Sequence, residues 1–142
     1  MKIRASQIQR PKPRRSGVTT VEFALVLPLA LFIVFGLVEF SRVNMIRNTM
    51  QNAAYEGARA GILRGGSVNK AKREAKAILA TINIKNPRVR VTPDTITNET
   101  PEVEVKITVQ LGDNMWVTPK YFANTRMVKS FTLTRESSQS GF

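Results

Sequence analysis

The chain has neither cysteine nor histidine, and no acidic residue precedes Gly17. Without a thiol there is no disulfide, no thiolate nucleophile and no lipobox. Without an imidazole, the commonest general base and metal ligand are missing. An enzyme would be left with an acid pair or a Ser/Lys dyad, and no spacing in the sequence suggests either. The chain therefore reads as non-enzymatic, with no catalytic residue, metal, cofactor or small-molecule substrate expected.

Its 142 residues leave room for one membrane segment and one small domain. The net charge of +12 is unevenly spread. Lys2, Arg4, Arg10, Lys12, Arg14 and Arg15 carry half of it, so the chain from Val18 onward has 16 basic and 10 acidic residues, a balance of +6. A nucleic-acid binder would keep its charge in the folded part and interleave it with aromatics, and this chain does neither. Nucleic acid is not an expected partner.

Residues 23–38 are sixteen consecutive positions without a strongly polar side chain. At about 1.5 Å per residue they extend roughly 24 Å, so the flanking apolar residues are needed to cross a hydrocarbon core of about 30 Å. The expected span is 18–40. A buried soluble helix normally keeps a polar stripe, and this run has none on any face. Six basic residues lie before the span and only Arg42 and Arg47 just after it, which places the N-terminus in the cytoplasm. No small-x-small pattern follows the run at Val38-Glu39-Phe40-Ser41-Arg42, so cleavage at its far end is not expected.

Glu22 interrupts the apolar sequence near its start. An isolated acid costs roughly 2.5 to 3.5 kcal/mol at a membrane centre, and less near the interface. Such a residue calls for a partner, the alternative being a solvated place at the headgroup level with no role.

The string Gly17-Val-Thr-Thr-Val-Glu22-Phe23, continued by Ala-Leu-Val-Leu-Pro28 and closed by Phe35-Gly-Leu-Val-Glu39-Phe40-Ser-Arg42, resembles the TadE-like pseudopilins of tight-adherence (Flp-type) pilus systems. Asn52-Ala-Ala-Tyr-Glu56-Gly57-Ala-Arg59 is similar to the signature that closes that family's N-terminal region. The likeness covers Gly17 to about Ile62. It implies cleavage after Gly17 by a membrane-embedded prepilin peptidase, with Val18 as the new N-terminus and Glu22 at mature position five. The freed Val18 ammonium of one subunit would then meet the Glu22 carboxylate of its neighbour and fix their axial register. One departure is that classical type IV pilins begin with an aromatic residue or Met and are N-methylated there, whereas this chain would begin with Val. A product of 125 residues also exceeds the short major subunits of such pili, which implies a minor component. The implied partners are the peptidase, other pilus subunits, the inner-membrane assembly platform and membrane lipid.

Beyond the span, Val43, Ile46, Met50, Ala53, Gly57 and Ala60 recur at spacings of three and four. The spacing predicts one helix from Val18 to about Ala60, stopped by Gly61 and followed by a turn at Gly65-Gly66. Its small residues, from Ala53 to Gly61, predict a docking strip for the chain's own sheet or second helix, the alternative being a subunit interface, and Glu56 and Arg59 are placed to pair. Val68, Ala71, Ala75, Ile78 and Ile82 predict that second helix, capped by Ser67 and bearing a solvated basic face. Then the period falls to two. Strands are expected around Val89 and Val91, from Glu102 to Leu111, and between Met127 and Arg135.

The expected fold class is α+β, pilin-like: a long N-terminal helix, a shorter helix and an antiparallel sheet of about three strands. Residues 1–17 form a basic cytoplasmic leader, 18–40 the spanning part of the helix, 41–62 its exported continuation and 63–142 a small exported domain. Between the last two strands, Trp116, Tyr121 and Phe122 either cap the core or offer a surface to a pilus partner. The function these readings converge on is a minor pilin-like subunit in pilus assembly. The alternative is an uncleaved single-pass membrane protein whose exported domain binds a ligand or scaffold.

Overall fold

A computed structural model of the chain describes residues 16–116 and 123–135. Two helices and three strands follow in the order α1 (Ser16–Ile62), α2 (Val68–Ala80), β1 (Arg88–Thr92), β2 (Glu102–Gln110) and β3 (Arg126–Thr134). The fold class is α+β, with the helices first and the strands after them. The leader residues Lys2, Arg4, Arg10, Lys12, Arg14 and Arg15, the loop residues Tyr121 and Phe122, and the tail from Glu136 lie outside the described residues.

The chain divides into two compact units, Met1–Phe35 and Gly36–Phe142. In the first, every described side chain from Gly17 onward is exposed, including Phe23 at 63% and Phe32 at 77%. Pro28 lies within α1 without ending it. Gly17–Ile62 is long and apolar enough to cross a membrane, and none of its most apolar window is buried among the described residues. One such helix at the N-terminal side fits a single-pass membrane protein.

In the second unit the period of α1 matches its burial. Ile46, Met50, Ala53, Ala54 and Ala58 are completely buried on one stripe, at steps of three or four apart from the adjacent pair Ala53 and Ala54. Against them lies an antiparallel sheet in the order β1-β2-β3. Val91 pairs with Val105 and Val105 with Phe131, so the odd-numbered residues of all three strands share the covered face. The central strand carries most of the core, with Val103, Val105, Ile107 and Val109 fully buried. Each such side chain contributes about 1.5 to 3 kcal/mol relative to exposure.

Helix α2 supplies Ala71, Ala75 and Leu79 to the same core. Ser67 caps it as the sequence predicts, its hydroxyl accepting from the Lys70 N–H at 3.2 Å. The stripe predicted for α2 included Ile78 and omitted Leu79, whereas Leu79 is fully buried and Ile78 packs at the margin. Both fit the helical period from Ala75, and the covering elements decide between them.

Gly61 is not the helix stop that the sequence suggested, because α1 runs on to Ile62. The chain turns instead at Gly65, whose φ of 72° lies in the left-handed region open to glycine. Gly61 has a packing role, since a Cβ there would sit 3.1 Å from Val103 Cγ1 and 3.2 Å from Ile96 Cδ1. Arg135 closes the end of the helix, its Nη2 donating to the Ile62 carbonyl at 2.6 Å and its Nε to the same oxygen at 3.2 Å.

Gly57 is the tightest point of the docking strip. A Cβ there would stand 3.1 Å from the Ala71 carbonyl oxygen, 3.1 Å from Ala75 Cβ and 3.4 Å from Val105 Cγ1. The sheet and α2 thus both dock on the small residues of α1, where the sequence left the choice between them open. Gly57→Val should destabilise the fold by about 1 to 3 kcal/mol, because a backbone oxygen cannot rotate away as a side chain can. Chemical denaturation of the detergent-solubilised chain measures this, and an unchanged midpoint would contradict the close approach.

Candidate functional site

Two regions carry chemistry, one in each unit. The first is the start of α1. Gly17 lies in its first turn, and a Cβ built there would meet nothing within 4 Å. Val18 is 65% exposed and Val21 61%. Glu22 is exposed too, and among the described residues it forms no ion pair. Gly17, Val18 and Glu22 thus share one exposed helical segment, and the first unit offers no cation to Glu22 among its described residues.

The second region lies where the apolar run ends. Glu39 is 6% exposed, Arg42 9% and Asn114 3%, an unusual polar set for the edge of a core. Each is held by backbone. The Trp116 N–H donates to Glu39 Oε1 at 2.9 Å. Arg42 Nη2 donates to the Ile82 carbonyl at 3.1 Å, and its Nε donates a longer bond of 3.4 Å to the Asn114 carbonyl.

Asn114 is tied at both ends of its amide. Its Oδ1 accepts from the Lys85 N–H at 2.7 Å, and its Nδ2 donates to the carbonyls of Gln110 and Lys85 at 2.8 and 3.2 Å. The segment after α2 is shaped to meet it. Asn83 takes a left-handed φ of 54°, the Ile84 N–H returns to the Leu79 carbonyl at 3.3 Å, and Ile82 thereby presents its carbonyl to Arg42. The Arg42 guanidinium also lies 5.0 Å from the centre of the Trp116 ring, within cation–π range. One acid and one base of α1 thus clamp the loop after β2 and the exit of α2 to the helix.

The sequence reading singled out Trp116 but missed this clamp. Glu39 and Arg42 both stood in the quoted family string, and Arg42 also counted as a flanking base. A usable signal was present: a carboxylate in the turn that ends an apolar run cannot be left unsatisfied. Its partner, a loop N–H 77 positions away, has no signature in sequence. Trp116 is 67% exposed and so does not cap the core, whereas Met115 beside it is 7% exposed and does. Of the expected ion pairs, Glu56 and Arg59 lie 3.6 Å apart on the open helix surface, a contact worth only a few tenths of a kcal/mol.

Residues 17–59 match the family of TadE-like proteins. The match takes in Gly17, Glu22, Glu39, Arg42 and Gly57, and stops short of α2 and the sheet. No curated protein and no solved structure matches the chain. The TadE-like segment therefore comprises the exposed start of α1, the two residues that clamp the loop, and the small residues that dock the sheet.

Arg42→Met keeps the aliphatic stem and removes the donors to Ile82 and Asn114. It should lower stability by about 1 to 3 kcal/mol and speed amide exchange selectively in residues 111–116. Hydrogen exchange read by mass spectrometry on the full chain in micelles checks this, and unchanged protection of that loop would exclude the clamp.

Proposed function

We propose that the chain is a minor pilin-like subunit that acts in assembly of a tight-adherence type pilus. The observation that carries this reading is the TadE-like match over residues 17–59, coinciding with a helix whose first half buries nothing against the described residues. An apolar surface of that size requires lipid before assembly and neighbouring subunits after it.

In this reading the chain inserts with its basic leader in the cytoplasm and its α+β unit exported. Prepilin peptidase cuts after Gly17. Glycine suits the position because the protease must approach the backbone closely, and no side chain of the described residues stands over it. The cut gives Val18 an α-ammonium at the cytoplasmic end of the helix. As subunits leave the bilayer, Glu22 of one neutralises that ammonium on the next, in a setting where water is excluded and the attraction is correspondingly strong. A wrong register would strand both charges among apolar side chains, which makes the pair a selector of axial offset as well as a source of affinity. The assembly platform and other pilus subunits are the partners, and no chemical step is assigned to the α+β unit.

Mass spectrometry of the protein from its own host should find an N-terminus at Val18, and an intact leader would instead favour an uncleaved single-pass protein with an exported binding domain. Gly17→Leu should abolish the cut. Glu22→Gln should leave membrane insertion and cleavage intact and reduce pilus production at least tenfold, the equivalent of about 1.4 kcal/mol in assembly. Pilus counts by electron microscopy report this, and wild-type numbers with Glu22→Gln would remove the charge-pairing mechanism.

A further inference from the structure

The loop after β2 presents a large aromatic side chain to solvent at one particular level of α1. Trp116 is 67% exposed, yet its backbone is pinned through its N–H to Glu39, one position past the end of the apolar run. On the same turn of α1, Leu37 is 63% and Phe40 68% exposed. The Arg42 guanidinium lies 5.0 Å from the centre of its ring. An exposed indole is unfavourable in water but suits the boundary between hydrocarbon and headgroups, where its apolar body and its N–H are both accommodated.

Across the two clefts beside it basic side chains outnumber acidic ones, and the nearby Glu39 carboxylate accepts from the Trp116 N–H. Arg42, Lys85 and Trp116 line a common cleft, whose one carboxylate is Asp113. A neighbouring cleft adds Arg88 and Arg126 beside that same Asp113. Arg88 and Arg126 belong to the uncovered sheet face, and neither forms an ion pair among the described residues.

We infer that this end of the α+β unit is a membrane-interface collar: the Trp116 indole seats at the headgroup level of an anionic bilayer, and Lys85 with its basic neighbours meets the lipid phosphates. The occupant is lipid because the patch continues the exposed apolar surface of α1 at the position where that surface stops. The collar sets the depth of the unit before assembly and must be released when the subunit is withdrawn from the bilayer. Lipid attraction of this kind weakens with salt, as for other juxtamembrane basic clusters.

This inference rests on the membrane-spanning reading of α1, and the test separates the two. Trp116 is the only tryptophan in the chain, so its fluorescence reports this site alone. The full chain is reconstituted into phosphatidylglycerol vesicles and into phosphatidylcholine vesicles, and flotation after an alkaline wash establishes insertion. The collar predicts blue-shifted emission relative to the chain in urea and several-fold weaker quenching by acrylamide. It also predicts stronger quenching by a spin label on the headgroup than by one deep in the acyl chain. Protection should be greater in phosphatidylglycerol, and Lys85→Glu, with unchanged circular dichroism, should shrink that difference. A chain that floats but keeps Trp116 fully open to acrylamide overturns the collar and leaves the spanning helix intact, as a surface reserved for a protein partner would. A chain that does not float overturns both.

Discussion

An apolar helix surface that none of the described residues covers is the feature that governs this protein. From Val18 to the end of the apolar run at Val38, α1 exposes its side chains on all sides. A few residues later the same helix buries Ile46 and Met50 completely. Sequence makes the change abrupt. Up to Val38 there is no polar stripe to define a solvent face, whereas from Arg42 onward polar residues alternate with apolar ones at the helical period. One helix thus presents two kinds of surface, an exposed apolar one over its first half and one covered by its own sheet over its second.

The point of change carries its own chemistry. Glu39 and Arg42 sit where the first half gives way to the second, and both direct their polar atoms to backbone groups of loops distant in sequence. Buried charges rarely add net stability over an apolar replacement, but they penalise any alternative placement of the segments they hold. The consequence is a fixed attachment of the loop after β2 and of the exit of α2 to α1. Farther along, Gly57 and Gly61 hold the sheet and α2 so close that side chains have no room. A small domain with a modest core gains much from such anchoring, since the helix supplies a large share of the buried apolar surface.

Much of this was legible in the residues. The period of three and four in Val68, Ala71 and Ala75 gave α2 and its Ser67 cap, and the alternation from Val103 to Val109 gave the central strand with the correct face inward. Both signals are local, and each element is amphipathic enough to reveal its own covered side. What was missed depended on where distant segments meet. Gly61 looked like a helix end because glycine often is one, yet here it is required by Val103 and Ile96, which lie at least 35 positions away. Glu39 itself signalled a need for a partner, but the partners of Glu39 and Arg42 were invisible for the same reason, because they are main-chain atoms that carry no residue-type signal. At the start of α1, by contrast, the sequence already held the essentials: a glycine, an apolar run and one acid, read through a family likeness that residues 17–59 bear out.

The central claim, that the exposed first half of α1 crosses the bilayer with the α+β unit outside, is best tested by single cysteines, for which a chain without native cysteine is well suited. Leu29→Cys and Gln51→Cys replace two exposed residues of α1 on either side of the change. In cells whose outer barrier has been removed, a membrane-impermeant maleimide should label Gln51→Cys readily and leave Leu29→Cys unmodified until detergent is added. Labelling of Leu29→Cys without detergent, or of Gln51→Cys only after the inner membrane is opened, would contradict the account.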